Sequence, residues 1–164
     1  MAIDWGLITL SDKGAVGQRE DTAGAAITQI MRDAGHQRLD YTMIPDEAQQ
    51  IEQTLIDWCD SGRMGLILTC GGTGLSPRDV TPEATLRVIQ RAVPGFAEAM
   101  RAASLRITPH AMLSRSVSGV RGQTLIINLP GSRKAAIENL EVVLPALAHA
   151  VDKLRGDPAD CAIG

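Results

Sequence analysis

The sequence contains few aromatic residues and no run of basic residues. Phe, Trp and Tyr make up 2% of its 164 residues, and its formal net charge is −3. An extended nucleic-acid surface needs clustered Lys and Arg, and single-stranded bases stack on aromatic side chains, so we expect no nucleic-acid partner. No apolar run approaches the length that crosses a bilayer, so we also expect no membrane association.

Cysteine is scarce as well. Cys59, Cys70 and Cys161 are odd in number and far apart, and no signal peptide precedes them. This usage is typical of a cytoplasmic protein without a disulfide framework. The three histidines are isolated from one another and from the cysteines in the sequence, so we expect no zinc site.

The overall composition is that of a globular domain. Hydrophobic residues make up 45% of the chain and charged residues 21%, and 164 residues are enough to bury a core. We find no internal repeat, linker or low-complexity segment. The sequence therefore predicts one domain over residues 1–156 and a loose tail at residues 157–164.

Apolar segments of strand length alternate with amphipathic helical segments. The predicted strands cover residues 5–10, 39–44, 64–68 and 124–129, and the predicted helices run from 21 or 22 to about 33, from 46 to near 62, from 82 to 91, from 94 to 105 and from 132 to about 154. Residues 11–21 are predicted to form a loop, and residues 111–122 a loop or short extended structure. This alternation favours an α/β fold, a three-layer α/β/α sandwich with a mostly parallel central sheet.

Four helices carry recognisable start signals, and for the helix that runs to about residue 33 the predicted cap is Asp21 or Thr22. Asp46 followed three residues later by Gln49 predicts a capping box. Thr81 is predicted as an N-cap with Pro82 at the first helical position, and Ser132 as the cap of the last helix.

The most informative segment is residues 69–84, Thr-Cys-Gly-Gly-Thr-Gly-Leu-Ser-Pro-Arg-Asp-Val-Thr-Pro-Glu-Ala. A strand followed by a glycine-rich turn and a helix start presents backbone N–H groups and a positive dipole end to an anion. We call residues 71–74 the glycine loop. Arg78 adds a positive fork and Asp79 a carboxylate suited to Mg²⁺, so the segment predicts a metal–phosphate ligand such as a nucleoside triphosphate.

The glycine loop matches neither common nucleotide signature. A P-loop requires Gly-Lys-Ser or Gly-Lys-Thr, and a dinucleotide fingerprint requires Gly where this chain has Pro77. An ordinary glycine-rich turn, with Arg78 and Asp79 paired on the surface, is an equal alternative when the segment is taken by itself.

Four predicted loops leave the carboxyl ends of strands, where ligands bind in such sheets. They are residues 11–21, 45–46, 71–80 and 130–132. Asp46 and Asp79 enter this region from different strands, and paired carboxylates beside phosphate-binding backbone call for a divalent metal or a proton. For Asp46 a role as a helix cap alone is the competing interpretation.

Residues 69–84 closely resemble the signature of the MogA/MoaB family of molybdenum cofactor biosynthesis. Further segments agree with that family, namely Leu-Ser-Asp at 10–12 with Asp21 and Gly24, residues 94–101, and residues 112–115 through 129–132. The resemblance spans about residues 5–153. One departure is Arg133, where the family commonly has Pro. The segment after residue 156, with Cys161, matches nothing in the family.

The resemblance implies an enzyme, a nucleotidyltransferase that uses Mg-ATP to adenylylate molybdopterin and releases pyrophosphate. It also implies a homotrimer or a multiple of trimers and a molybdenum insertase as downstream partner. A catalytically inactive pterin-binding paralogue is an alternative, and so is a related domain that acts on another nucleotide, as in the competence-damage-protein family.

The resemblance and the loop pattern together give the candidate site residues. The predicted catalytic residues and Mg²⁺ ligands are Asp46 and Asp79. The predicted nucleotide-binding residues are Gly71, Gly72, Thr73, Gly74, Arg78, Pro130, Gly131 and Ser132. The predicted pterin-binding residues are Ser11, Asp12, Ser104 and Arg115, and for Arg115 a surface salt bridge is an equal alternative.

Overall fold

The computed structural model describes residues 1–156 and 158, so the predicted tail and Cys161 lie outside the described residues apart from Pro158. In chain order the elements are β1 (Asp4–Leu10), α1 (Asp12–Ala15), α2 (Thr22–Asp33), β2 (Gln37–Ile44), α3 (Ala48–Asp60), β3 (Leu66–Cys70), α4 (Thr81–Val88), β4 (Arg91–Ala92), α5 (Gly95–Leu105), a 3-10 helix (Pro109–Leu113), β5 (Ser118–Arg121), β6 (Thr124–Leu129) and α6 (Arg133–Leu154). Among these described elements, no helix is both long and apolar enough to cross a bilayer.

The strands form one sheet in the order β2-β1-β3-β6-β5-β4. The first four in this order are parallel, and β5 and β4 add an antiparallel pair at one edge. The predicted mostly parallel sheet is confirmed. Because four parallel strands end at the same edge, the loops that follow β1, β2, β3 and β6 come together there.

Helices cover both faces of the sheet, as predicted. Neighbouring residues in a strand point to opposite faces, so Leu7 and Leu68 pack with α2, α5 and α6, whereas Ile8 and Ile67 pack with α3 and α4. All four side chains are fully buried. The continuous apolar runs in the sequence reflect this two-sided burial.

Two predicted element boundaries are wrong for the same reason. The predicted strand at 64–68 lies two residues too early, because Thr69 and Cys70 still pair with β6. The predicted helix at 82–91 is too long: α4 ends at Val88, and Arg91–Ala92 pairs with β5 instead. Pairing with distant residues, rather than local preference, decides both ends.

Two predicted loops contain short regular segments. The loop at 11–21 includes the helix α1, and residues 111–122 include the end of the 3-10 helix and all of β5. The second outcome agrees with the predicted short extended structure.

Asp21 caps α2 as predicted, and the other predicted caps divide into one success and two failures. Ser132 caps α6 and accepts a hydrogen bond from the Ala135 N–H at 3.3 Å. Asp46 does not cap α3, whose N-cap position is occupied by Glu47 without a side-chain hydrogen bond. Thr81 is the first residue of α4 rather than its cap, and its hydroxyl donates to the Gly71 carbonyl at 2.9 Å.

A buried polar network joins the elements that carry the glycine loop. The Asn128 side chain, fully buried in β6, donates to the hydroxyls of Thr69 in β3 and Thr85 in α4 at 2.9 and 3.0 Å. Its Oδ1 accepts from the Val117 N–H at 3.2 Å. One amide therefore holds together the strand and the helix on either side of the loop.

We expect Asn128→Ala to lower the free energy of unfolding by about 2–3 kcal/mol, since it removes a buried amide with several hydrogen bonds. Urea denaturation measures the change. Gln123→Ala removes an amide at an exposed position and should change stability by less than about 0.5 kcal/mol. Equal stability losses in the two variants would contradict the role assigned to Asn128.

Candidate functional site

The loops at the carboxyl edge of the sheet enclose a cavity of about 500 Å³, which we call the polar cavity. All four loops expected at this edge contribute to it. The predicted site residues that line it are Ser11, Asp12, Asp46, Gly71, Gly72, Arg78, Asp79, Gly131 and Ser132. The structure therefore brings together most of the predicted residues, including both acids.

A second cavity of about 270 Å³, which we call the apolar cavity, is lined by other residues of the loops at 71–80 and 130–132 and by residues of α5, the 3-10 helix and α6. The predicted site residues in its lining are Thr73, Gly74, Ser104 and Pro130. Ile107, Leu113 and Ala135 supply much of the remaining wall. The glycine loop and residues 130–132 thus separate a charged cavity from a largely apolar one.

Glycine is required where these loops meet. A Cβ on Gly71 would lie 2.5 Å from the Leu10 carbonyl oxygen, and one on Gly131 would lie 3.1 Å from the Gly71 Cα. Gly71 and Gly72 also have φ angles of +111° and +65°, which favour glycine. At Gly71 and Gly131, backbone atoms of the protein occupy the space next to the position that a Cβ would take.

Asp46 is held by a reciprocal pair of hydrogen bonds. Its N–H donates to Asp12 Oδ1 at 3.0 Å, and its Oδ2 accepts from the Asp12 N–H at 3.3 Å. Among the described residues no hydrogen-bond partner reaches its buried Oδ1. Burial, then the nearby charge of Asp12 and more weakly that of Asp79, raise the pKa of Asp46 above its usual value.

Asp79 approaches the same cavity from the loop that follows the glycine loop. Its Oδ2 accepts from the Ser76 N–H at 3.0 Å and lies 2.9 Å from where a Cβ on Gly74 would be. Its charge contributes to the raised pKa of Asp46, so the two carboxyl groups interact electrostatically.

The two acids suit a magnesium ion that is bound together with a phosphate ligand. Within residues 1–156 and Pro158 no group of three or more His, Cys, Asp or Glu side chains is arranged to hold a metal. Mg²⁺ commonly binds through one or two carboxylates, with water and substrate phosphates completing the shell. The unpaired Oδ1 of Asp46 and the nearby Asp79 fit that pattern.

Arg78 is bound to other acids and not to Asp79. Its Nε and Nη2 donate to the two carboxylate oxygens of Asp12 at 3.0 and 2.9 Å, and Nη2 also donates to Glu47 at 2.8 Å. The pKa of Asp12 is lowered by the hydrogen bonds that its carboxylate accepts, chiefly those from Arg78. Arg78 therefore links the β3–α4 loop to the starts of α1 and α3.

Arg115 supports the glycine loop from a position outside the lining of both cavities. Its Nε donates to the Gly74 carbonyl at 2.8 Å and its Nη2 to the Asp79 carbonyl at 2.7 Å. It also forms an ion pair with Glu83, and its backbone N–H bonds the Thr73 carbonyl at 2.9 Å. The guanidinium group thus fixes the loop, and its predicted contact with a pterin stays a prediction.

Three predicted serines have protein partners for their hydroxyl groups. Ser11 Oγ accepts from the Gly14 N–H at 3.0 Å as the cap of α1, and Ser132 caps α6. Ser104, in the apolar cavity, accepts from the Asn139 side chain at 3.1 Å.

Lys13, Arg19 and Asp21 also line the polar cavity, although the sequence analysis predicts no site role for them. For Lys13 and Arg19 the one sequence signal is that they follow β1 at the ligand-binding edge, whereas Asp21 is also part of the family resemblance. Asp21 caps α2 and accepts hydrogen bonds from Thr9, the Gly24 N–H and Tyr41 at 2.6–2.8 Å. Burial, followed by the bond to Asp21, raises the pKa of Tyr41 to about 12.

Several solved structures with the same fold are of molybdopterin biosynthesis proteins. The chain is similar to a molybdopterin biosynthesis enzyme, MoaB, from Thermus thermophilus, with a TM-score of 0.89 and 50% sequence identity. The match covers 96% of this chain and 99% of the other.

Sequence relatives agree with this similarity. The chain is 43% identical over 154 residues to a molybdopterin adenylyltransferase of Helicobacter pylori strain J99, covering 93% of this chain and 88% of that protein. It is 44% identical over 148 residues to the protein of the same name in Escherichia coli K12, covering 89% and 76%. The sequence model of a family described as "probable molybdopterin binding domain" matches residues 6–149. The chain therefore belongs to the MogA/MoaB family of molybdenum cofactor biosynthesis proteins, as residues 69–84 predict.

Proposed function

We propose that this protein is a molybdopterin adenylyltransferase, which transfers the adenylyl group of Mg-ATP to molybdopterin and releases pyrophosphate. The observation that carries the proposal is the pair of cavities on either side of one glycine loop, one charged and one largely apolar. Two chemically different substrates need two such sites with adjoining walls. Relatives at 43–46% identity that are named for this activity support it.

The reaction requires positioning more than covalent help from the protein. An oxygen of the pterin's terminal phosphate attacks the α-phosphorus of ATP, a new phosphorus–oxygen bond forms, and the bond to the β-phosphate bridging oxygen breaks. The protein's task is to align the two phosphates and to neutralise their charge. Loops fixed by backbone contacts and by Arg115 suit that task, because they need little ordering when the substrates bind.

In this proposal the nucleotide occupies the polar cavity, with its phosphates toward Asp46 and Asp79. These two carboxylates would hold Mg²⁺, which when bound offsets phosphate charge and polarises the phosphoryl oxygens. Support comes from the buried, unpaired Oδ1 of Asp46, since a carboxylate oxygen without a donor is suited to a cation. Residues Gly71, Gly72, Gly131 and Ser132 line the same space, as expected for nucleotide contacts.

The pterin then belongs in the apolar cavity. Its lining combines apolar side chains with Ser104, Asn139 and Arg101, and a fused ring with polar edges needs that mixture. Ser104 is the candidate for a contact to the pterin phosphate. Thr73 and Gly74 line this cavity from the glycine loop, so the reacting phosphates would meet beside that loop.

We also propose a trimer whose product passes to a molybdenum insertase. Support for self-association comes from the exposed apolar side chains of Leu105 and Met112, which line neither cavity. Sedimentation equilibrium should give three times the mass of the chain, or a multiple of that. A monomer at micromolar concentration would contradict the assembly.

The test of the proposed reaction uses Asp46→Asn and Asp79→Asn. We expect each variant to fold normally and to lose about a hundredfold or more of its activity, because the metal–phosphate complex loses a charged ligand. Incubation with Mg-ATP and molybdopterin, followed by measurement of pyrophosphate and AMP-linked pterin, gives the rates.

Asp57→Asn is the matched control, since Asp57 is an exposed acid on α3 outside both cavities. It should retain the wild-type rate. Folded Asp46→Asn and Asp79→Asn proteins that adenylylate molybdopterin as fast as the wild type would refute the roles assigned to the two acids.

The raised pKa of Asp46 predicts how metal binding depends on pH. Because burial and neighbouring negative charge favour its protonated form, Asp46 takes up a proton at a higher pH than an ordinary aspartate. Mg²⁺ stabilises the charged form, so the metal should lower the pKa of Asp46. Binding of Mg-ATP should accordingly weaken as the pH falls through that pKa.

Titration of the ¹³C carboxyl NMR signal of Asp46, with and without Mg-ATP, measures both effects. The Asp46→Asn variant assigns the signal. A pKa that Mg-ATP leaves unchanged, or raises, would show that the metal does not bind at Asp46.

A further inference from the structure

We propose that Lys13 and Arg19 hold the β- and γ-phosphates of the nucleotide and then the pyrophosphate that leaves. This inference rests on the proposed function and adds to it a polyphosphate subsite on the β1–α2 loop. Both residues line the polar cavity, and both side chains are exposed to solvent there.

The third cation in the lining, Arg78, is already engaged. Its guanidinium makes two hydrogen bonds to Asp12 and one to Glu47, all between 2.8 and 3.0 Å. A phosphate that bound Arg78 would have to compete with two carboxylates. Residues 69–84 therefore offer less unpaired positive charge than their sequence suggests.

Lys13 and Arg19 are not bonded to a carboxylate in this way, although the exposed Glu20 also lines the cavity. Within the part of the chain that the structure describes, the side chain of neither residue forms an ion pair or a hydrogen bond. The nearby carboxylate of Asp21 already accepts three hydrogen bonds, from Thr9, Gly24 and Tyr41. The two cations are thus the ones in this cavity that a polyanion can reach without breaking an existing pair.

The backbone between the two cations is held in place although their side chains are free. The Gln18 N–H donates to the Lys13 carbonyl at 2.9 Å, which closes the turn and brings Arg19 back toward Lys13. Ser11 caps the short helix, and the Ser11 N–H bonds the Ile44 carbonyl at 3.0 Å. These bonds preform the turn, so phosphate binding would restrict chiefly the two side chains, which limits the entropic cost.

Two cations at this place suit the leaving group chemically. When the bond between the α-phosphorus and the bridging oxygen breaks, the electron pair stays on that oxygen, and the pyrophosphate gains negative charge. Fixed positive charge beside the leaving group stabilises that change. Asp46 and Asp79 lie in the same cavity lining, so one ligand can reach both the acids and the cations.

The experiment compares two double variants that carry the same change in net charge. Lys13→Met/Arg19→Gln removes the two cavity cations, and Arg63→Gln/Arg87→Gln removes two exposed arginines that do not line the polar cavity. Isothermal titration calorimetry with Mg-pyrophosphate and, separately, with AMP gives the affinities. Circular dichroism checks that both variants are folded.

We expect Lys13→Met/Arg19→Gln to bind Mg-pyrophosphate about a hundredfold more weakly than the wild type, or about tenfold for each cation. Its affinity for AMP should stay within about twofold, since the α-phosphate lies outside the proposed subsite. Arg63→Gln/Arg87→Gln should keep the wild-type affinity for both ligands.

Wild-type affinity for Mg-pyrophosphate in Lys13→Met/Arg19→Gln would overturn the assignment. An equal loss in Arg63→Gln/Arg87→Gln would also overturn it, since net charge and not contact would then be the cause. A protein that binds Mg-pyrophosphate through Lys13 and Arg19 but makes no adenylylated pterin would refute the proposed function and leave the subsite standing. A wild-type protein that does not bind Mg-pyrophosphate but forms AMP-linked pterin would overturn the subsite and leave the proposed function standing.

Discussion

Close approach of backbone to backbone at the carboxyl edge of the sheet is the constraint on which the site depends. Gly71 packs against the Leu10 carbonyl and against Gly131, so three strand-end loops meet with no side chain between them. That contact brings Asp46 and Asp79, which are 33 residues apart in the sequence, into the lining of one cavity. It also lets the glycine loop form a wall between the charged polar cavity and the largely apolar cavity. A larger side chain at Gly71 would separate the loops and disturb both.

The electrostatic arrangement follows from where those loops meet. Asp12 binds Arg78 through its carboxylate and Asp46 through its backbone N–H, so one residue both neutralises a cation and orients an acid. Asp46 is left with a buried oxygen and a raised pKa, whereas the charge of Asp21 is met by three donors. Positive charge remains available on Lys13 and Arg19, on the side of the cavity formed by the β1–α2 loop. The cavity is therefore polarised, although the chain as a whole carries a net charge of only −3.

Local sequence patterns predict those features of the structure that interactions between neighbouring residues determine. The layered fold, most helix and strand positions and the Ser132 cap follow from periodicity and capping preferences, and the glycine loop was located from its spacing. Asp46 and Thr81 do not cap their helices, because their side chains bond the Asp12 N–H, 34 residues away, and the Gly71 carbonyl, 10 residues away. The supporting role of Arg115 depends on loop carbonyls more than thirty residues away, which no local pattern encodes. Sequence identifies which residue types can do the chemistry, but distant pairing decides which of them remain free to do it.

The shared wall between the cavities has a thermodynamic consequence. A displacement of the glycine loop moves a wall of each cavity, because Gly72 borders the polar cavity and Thr73 and Gly74 border the apolar cavity. Any ligand that favours one position of the wall changes the affinity of the other cavity, and linkage makes that influence equal in both directions. A ligand in one cavity that moved this loop would therefore change binding in the other, and the hydrogen bonds of Arg115 to the Gly74 and Asp79 carbonyls restrain such a movement.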